Sequence, residues 1–194
     1  MLNSRSHEIL LALGSNASDN LSESYDLIES SITLLYHKSI KISNKSVYYQ
    51  TPAFPAGAGP DFVNCVLAGQ TDLSANELMS ELHAIEADLG RKRLKRWGQR
   101  TLDIDLLDYD CEIKPDVTVV QEWLDMPLKQ QMERIPNQLI LPHPRIQDRA
   151  FVLVPMADVA PNWCHPILNK TTEQMRDALP PEQLSEIRPF VVLD

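Results

Sequence analysis

The apolar residues of this chain recur with two different spacings, and the change from one spacing to the other predicts its elements. Alternation of apolar and polar residues, or a short apolar run closed by turn residues, is typical of β-strands. Such patterns predict four strands, at residues 8–13, 39–50, 61–71 and 101–107. Polar residues, glycine or proline separate each strand from the next element, so we treat them as distinct.

Two stretches between these strands follow the spacing of an amphipathic helix. The first begins at about Asp19, and its apolar stripe consists of Leu21, Tyr25, Ile28, Ile32 and Leu35. The second opens with a capping box formed by Ser74 and Glu77 and stops at Gly90. The resulting order, β-α-β-β-α-β, is that of the ferredoxin-like fold. We therefore expect an α+β sandwich in which two helices cover one face of an antiparallel sheet.

The second half of the chain carries additions to this core. Residues 111–138 are polar and irregular, which predicts a surface excursion with a short helix around 121–132. A short helix is expected after Thr172, and a last apolar strand near 189–193. No internal repeat divides the chain, and its 194 residues predict a single domain spanning 1–194 with these C-terminal additions.

Charge and cysteine content narrow the class of protein. The net charge of −9 argues against affinity for nucleic acid or an anionic membrane. The three cysteines are far apart and show no zinc-ligand spacing, so we expect reduced thiols in a cytoplasmic protein. No segment approaches the length needed to span a bilayer. We expect a monomer with no nucleic-acid partner and no membrane partner.

A basic cluster lies directly before a pair of aspartates. Residues 91–100 contain six cations, and Asp103 and Asp105 follow on the last predicted strand. Residues two apart share a strand face, with Cα atoms about 6–7 Å apart. Two carboxylates at that spacing suit magnesium, and arginines beside them suit phosphoryl oxygens. When this stretch is considered by itself, the aspartates could also be solvated strand residues. The basic run could be a solvated surface loop, a localisation signal or a nucleic-acid patch.

Other polar and aromatic residues are weaker candidates. His143 stands between two prolines, and with Arg149 and Phe151 it could bind phosphate and stack on a ring. Asn64 could read the edge of a heterocycle, although it could also be an outward-facing strand residue. Phe62 lies on the same strand face and could equally be a core residue. Neither a P-loop nor a Gly-x-Gly-x-x-Gly pattern occurs, so a nucleotide would have to be held in another way.

Several blocks of the sequence, taken together, resemble the 6-hydroxymethyl-7,8-dihydropterin pyrophosphokinase family of folate biosynthesis. The most specific are RWGQRTLDIDLLDYD at 96–110 and LPHPRIQDRAFVLVPMADVAP at 141–161. Shorter blocks follow the same order, namely LALGSN at 11–16, YQTP at 49–52, DFVN at 61–64, IEADLGRKR at 85–93 and HPILNKT at 165–171. The segment 111–138 is longer than is usual in that family, and the resemblance assigns it no role.

The resemblance implies an enzyme that transfers pyrophosphate from ATP to the pterin hydroxymethyl group and releases AMP. It implies two magnesium ions held by Asp103 and Asp105, with ATP as co-substrate. The implied ATP-binding residues are His83, Glu86, Arg91, Arg93, Arg100, His143 and Arg149. The implied pterin-binding residues are Thr51, Pro52, Phe62, Asn64, Trp97, Asp103 and Phe151. The implied catalytic residues are Arg91, Arg93, Trp97, Arg100, Asp103 and Asp105.

Two other functions remain to be weighed at this point. RNA-recognition domains share the same element order, but they need paired aromatic residues and a motif that the strand at 61–71 lacks. A catalytically silent homologue, or a different magnesium-dependent nucleotidyl enzyme, is the second alternative. Product analysis with ATP and the pterin distinguishes these from the implied activity.

Overall fold

The computed structural model describes residues 6–53, 59–90 and 101–191. Its strands are β1 (His7–Ser15), β2 (Ile40–Lys45), β3 (Tyr48–Thr51), β4 (Phe62–Thr71), β5 (Asp103–Tyr109) and β6 (Arg188–Phe190). Its helices are α1 (Leu21–His37), α2 (Ala75–Asp88), α3 (Val117–Asp125), α4 (Leu128–Glu133), α5 (Ala150–Val159), α6 (Thr172–Asp177) and α7 (Pro181–Ser185). A 3₁₀ turn at Ile146–Asp148 precedes α5.

The strands form one antiparallel sheet in the order β5-β1-β4-β3-β6, and β2 pairs with the other end of β4. β2 and β3 together occupy the place of the second strand of the predicted core. The order is then fourth, first, third, second, with the third strand antiparallel to its two neighbours. This confirms the ferredoxin-like α+β arrangement.

The sheet is covered on both faces. Leu11 and Leu13 of β1 pack in the larger apolar core with residues of α1 and α2, such as Ile28 and Leu82. Side chains on the opposite face form a second core with α5 and the start of α6. In RNA-recognition domains RNA binds on the sheet through its aromatic residues. Here α5 covers that face, so the fold gives no support to the RNA-binding alternative.

The predicted strand at 39–50 is wrong as a single element. It divides into β2 and β3, because Ser46 interrupts the pairing with β4. The backbone N–H of Val66 donates to Ser46 Oγ at 3.0 Å, where a regular ladder would use a carbonyl oxygen. The hydroxyl of a buried serine has replaced a backbone acceptor, which alternation of side chains cannot reveal.

The excursion at 111–138 is more ordered than its composition suggests, and the single helix around 121–132 is wrong. Two helices, α3 and α4, occupy this segment and are separated at Met126 and Pro127. The residue before a proline is disfavoured in helical conformation, and Met126 accordingly has φ −67° and ψ 127°. Backbone bonds in both directions between Lys114 and Leu141, at 2.9 and 3.0 Å, close the base of the segment.

The remaining boundaries agree with the sequence pattern to within a few residues. Asn20, rather than Asp19, caps α1 by accepting from the Ser22 N–H. The capping box at Ser74 is present, and Gly90 has φ +87°, a conformation that glycine adopts at helix ends. Across the described parts of the chain, none of the helices combines the length and the apolar character that crossing a bilayer requires.

A buried histidine links the stability of the second core to pH. His165 is fully buried, and burial lowers its pKa to about 4 from 6.5. The unfolded chain therefore takes up the proton first as the pH falls below 6.5. The contribution of neutral His165 to the free energy of unfolding is fully present above pH 6.5. It is lost progressively down to pH 4, by roughly 3 kcal/mol in total.

We predict that His165→Gln removes this acid sensitivity. The free energy of unfolding of the wild type minus that of the variant should decrease between pH 7 and pH 4, as measured by urea titration. Asp108, whose pKa burial raises to about 6, is common to both proteins and cancels in the difference. Parallel pH profiles for the two proteins would contradict the assignment.

Candidate active site

Asp103 and Asp105 lie on one face of β5, as their spacing predicts. Ile104 and Leu106 point into the core beneath α1 and α2, so the aspartates face the α5 side of the sheet. Both are half-buried where the cover provided by α5 begins, and 35% of the Asp105 side chain is exposed. Asp105 lines a cavity described below, and both carboxylates keep part of their surface accessible to solvent.

Glu86 holds this strand in place from the helix side. It is 2% exposed, and its Oε1 accepts the backbone N–H of Ile104 at 2.8 Å, between the two aspartates. The resemblance implies a position that faces the nucleotide. In the structure this carboxylate bonds to the backbone that carries Asp103 and Asp105, and a contact between Glu86 and the nucleotide stays a prediction.

Arg149 and His143 bring positive charge and a donor to Asp105. Arg149 Nη1 lies 3.3 Å from Asp105 Oδ2, and His143 Nε2 lies 4.0 Å from the same oxygen. Arg149 precedes α5, and its guanidinium carbon lies 5.5 Å from the centroid of the Phe151 ring. The N-terminus of α5 adds a partial positive charge at the same place. An anion approaching Asp105 therefore meets several groups that attract it.

His143 is a neutral donor in this arrangement. Burial and the charges of Arg149 and Arg145 lower its pKa to about 4, against the opposing effect of Asp105. Its Nδ1 accepts the backbone N–H of Arg145 at 3.2 Å, which leaves the proton on Nε2, the nitrogen nearer Asp105. The backbone N–H of His143 also donates to Leu107 O at 2.8 Å, and this bond fixes the segment beside β5.

Gly14 separates the two halves of the site on the sheet surface. It pairs with Asp103 on one side and with Asn64 on the other. A Cβ atom at this position would lie 2.6 Å from Asn64 Oδ1 and 3.7 Å from the ring of Phe62. The missing side chain is therefore what leaves room for the Asn64 amide.

Asn64 is held in one orientation. It is 7% exposed, and its Nδ2 donates to Thr51 Oγ1 at 2.8 Å. Phe62 is half-buried and lies on the same face of β4, and Pro52 is exposed just after β3. Phe151, at 37% exposure, comes from α5 on the other side. An amide edge and two aromatic rings are the elements that hold a flat heterocycle.

A cavity of about 730 Å³ begins at Asp105, His143 and Arg149 and runs along α2. His83 is exposed on α2 and lines it, as does Arg145. The cavity continues to α3 and α4, where Trp123 and other residues of the excursion form its wall. Its size lies within the usual range of about 300–1,000 Å³ for small-molecule sites.

Part of the implied site cannot be located. Arg91, Arg93, Trp97 and Arg100 lie outside the described residues. Conversely, the sequence reasoning did not single out Gly14, Trp123 or Arg145. Gly14 and Arg145 fall inside the blocks LALGSN and LPHPRIQDRAFVLVPMADVAP, which carry the resemblance without assigning either residue a role.

The donor set at Asp103 and Asp105 fits magnesium. Carboxylate oxygens are the ligands that magnesium prefers, and it is commonly held by one or two carboxylates together with substrate phosphates. Within 6–53, 59–90 and 101–191 no group of three or more His, Cys, Asp or Glu residues is placed to hold a metal ion. Two carboxylates, one of them beside Arg149 and His143, are consistent with a site that is completed by the substrate.

Comparison with known proteins gives matches along most of the chain. The family model described as 7,8-dihydro-6-hydroxymethylpterin-pyrophosphokinase (HPPK) matches residues 10–161. A protein of Synechocystis named 2-amino-4-hydroxy-6-hydroxymethyldihydropteridine pyrophosphokinase is 35% identical over 170 residues, which cover 87% of this chain and 74% of that protein. The protein of the same name from Haemophilus influenzae is 33% identical, with 86% of this chain and 92% of the relative covered.

Some relatives are much longer. The chain spans 24% of the Arabidopsis thaliana folate synthesis bifunctional protein, at 31% identity. The crystal structure of wild-type Plasmodium falciparum HPPK-DHPS matches with a TM-score of 0.60 and 15% sequence identity. The match covers 89% of this chain and 44% of the Plasmodium chain. That likeness shows the fold alone. The family match over residues 10–161 and the identity to the Synechocystis and Haemophilus proteins show that this chain belongs to the 7,8-dihydro-6-hydroxymethylpterin-pyrophosphokinase family.

Proposed function

We propose that this chain transfers the pyrophosphoryl group of ATP to the hydroxymethyl oxygen of 6-hydroxymethyl-7,8-dihydropterin, with release of AMP, in folate biosynthesis. The observation that carries the proposal is the row Asn64–Gly14–Asp103 across the sheet. This row places an amide suited to a heterocycle beside a carboxylate suited to a metal-bound polyphosphate. Family membership supplies the identity of the two substrates.

The chemistry requires little from the protein beyond position and charge. The hydroxymethyl oxygen attacks the β-phosphorus of ATP, the bond from the α–β bridging oxygen to that phosphorus breaks, and AMP leaves with the oxygen. The hydroxyl proton is lost to solvent or to a nearby base. Arg149 and the Nε2–H of neutral His143 would donate to phosphoryl oxygens, whose negative charge shifts during transfer. Fixed donors of this kind commonly supply a large part of the rate.

We further propose that two magnesium ions are held by Asp103 and Asp105. When bound there, they would neutralise the triphosphate and orient it for attack on the β-phosphorus. Arg149 offsets the charge of Asp105 at 3.3 Å, so the carboxylate lies next to a guanidinium that can donate hydrogen bonds to a phosphate. Arg91, Arg93 and Arg100 are proposed to bind phosphate as well, from outside the described residues.

The pterin is proposed to lie between the rings of Phe62 and Phe151, a place called the pterin slot below. Asn64 Oδ1 remains available to the pterin edge, because the Nδ2 of the same amide is the atom bonded to Thr51. Pro52 would line the same place, and Trp97, which the resemblance also assigns to the pterin, lies outside the described residues. ATP would lie in the cavity along α2, beside His83.

Product analysis tests this function directly. With ATP, magnesium and the hydroxymethylpterin, we expect AMP and a pterin diphosphate in equal amounts, separated by chromatography and identified by mass. Neither product should form without the pterin or with excess chelator. ADP or inorganic phosphate as the main nucleotide-derived product, or AMP without the pterin, would overturn the proposal.

A further inference from the structure

The excursion between β5 and His143 is a closed helical unit rather than a loose loop. The bonds between Lys114 and Leu141 join its two ends, and Asp116 caps α3 by accepting the Val119 N–H at 3.0 Å. Val120 of α3 is fully buried. A unit closed at its base and anchored by a buried side chain has a defined position relative to the sheet.

Gln131 fixes the angle between α3 and α4. Its Nε2 donates to Trp123 O at 2.9 Å and to Met126 O at 2.8 Å, which ties α4 to the end of α3. The side chain is 8% exposed, and its Oε1 is buried with no hydrogen-bond partner among the described residues. A buried acceptor without a donor is costly, by about 1–3 kcal/mol, unless a ligand supplies the donor.

This unit shares a cavity with the catalytic residues. Asp105, His143 and Arg149 line the cavity at one end, while Trp123, Gln131 and Arg134 contribute from the excursion. The α2 side of the same cavity reaches from His83 to Asn76, about 10 Å along the helix axis at 1.5 Å per residue. The cavity is therefore longer than the group of residues that would hold a triphosphate.

We propose that α3 and α4 form the wall that binds the nucleoside half of ATP, with the Trp123 indole against the purine. The proposal rests on the proposed function, which places the triphosphate at Asp105 and Arg149. A half-buried indole on a cavity wall offers the broad apolar surface that a purine ring requires, and contacts between bases and aromatic side chains contribute about 1–3 kcal/mol. Gln131 supports this wall from within, because its side-chain amide joins the end of α3 to α4.

Binding measurements on Trp123→Ala test the wall separately from the chemistry. The probes are α,β-methylene-ATP, in which the bond to be broken is replaced, and inorganic tripolyphosphate, each titrated by calorimetry with magnesium present. We expect the Kd of the ATP analogue to rise by about 5- to 150-fold. The Kd of tripolyphosphate should stay within twofold of wild type.

Three further variants keep the test decisive. Trp123→Phe retains an aromatic ring and should bind the analogue more tightly than Trp123→Leu does. The leucine variant replaces the alanine variant in the test if the latter does not fold. Glu122→Ala, at an exposed neighbouring position on α3, is the control and should bind both probes as the wild type does. An unchanged Kd for the analogue, or equal weakening of both probes, would overturn the inference. Continued pterin-dependent AMP formation would show that the proposed function survives such a result.

Discussion

Replacing Asp105 with asparagine should lower kcat by about 10²–10³-fold, and Asp103→Asn should have an effect of similar size. Each change keeps the shape of the side chain but removes a charge from the proposed magnesium site. The melting temperature should change little, because both side chains are half-buried at the edge of the core rather than inside it. Steady-state kinetics over a range of magnesium concentrations would measure the effect, and the variants should require more magnesium than the wild type.

The matched control is Asp72→Asn, which removes the same charge from an exposed turn between β4 and α2. It should leave both kcat and the magnesium requirement unchanged. A variant at 103 or 105 that kept near-normal kcat would remove that carboxylate from the proposed mechanism. Arg149 would then have to be considered the principal electrostatic group.

The second large effect is expected at Gly14, where alanine should weaken pterin binding at least about tenfold. The new Cβ would lie 2.6 Å from Asn64 Oδ1, a separation that forces the amide to move. The hydrogen bonds between Asn64 and the pterin would then be lost, at about 1–3 kcal/mol each. Fluorescence or calorimetric titration with the pterin measures the change, while the Kd of tripolyphosphate indicates whether the phosphate side is intact.

A double-mutant cycle shows whether Gly14 acts through the amide. Asn64→Ala should weaken pterin binding to a similar extent. The variant that carries both changes should bind the pterin no more weakly than either single variant. Additive losses would mean that Gly14→Ala damages the slot by another route. Thermal unfolding of all three variants establishes that they are folded under the conditions of the titration.

The parts of this molecule that local sequence determines were predicted well. The spacing of Asp103 and Asp105 placed them on one face of a strand because a strand repeats every two residues. The stripe of α1 and the capping box of α2 are similarly local. The main local error was the strand at 39–50, where a serine hydroxyl replaced a backbone acceptor.

Contacts between segments that are distant in the sequence could not be predicted from the local pattern of residues. The register that sets Gly14 between Asn64 and Asp103 depends on residues about 40 to 90 positions apart, and no local rule specifies it. The burial of Glu86 against Ile104 is of the same kind. The order within the excursion depends on Gln131 bonding to carbonyl oxygens of Trp123 and Met126, and composition alone does not show this.

The position of Gly14 also makes the two substrate regions mechanically dependent on each other. Gly14 of β1 is paired directly with Asn64 on one neighbouring strand and with Asp103 on the other. Any displacement of that residue shifts both neighbours at once, because no intervening strand absorbs the movement. Substitutions in the pterin slot are thus expected to alter affinity for the metal–nucleotide complex, and their energies will not sum as independent terms.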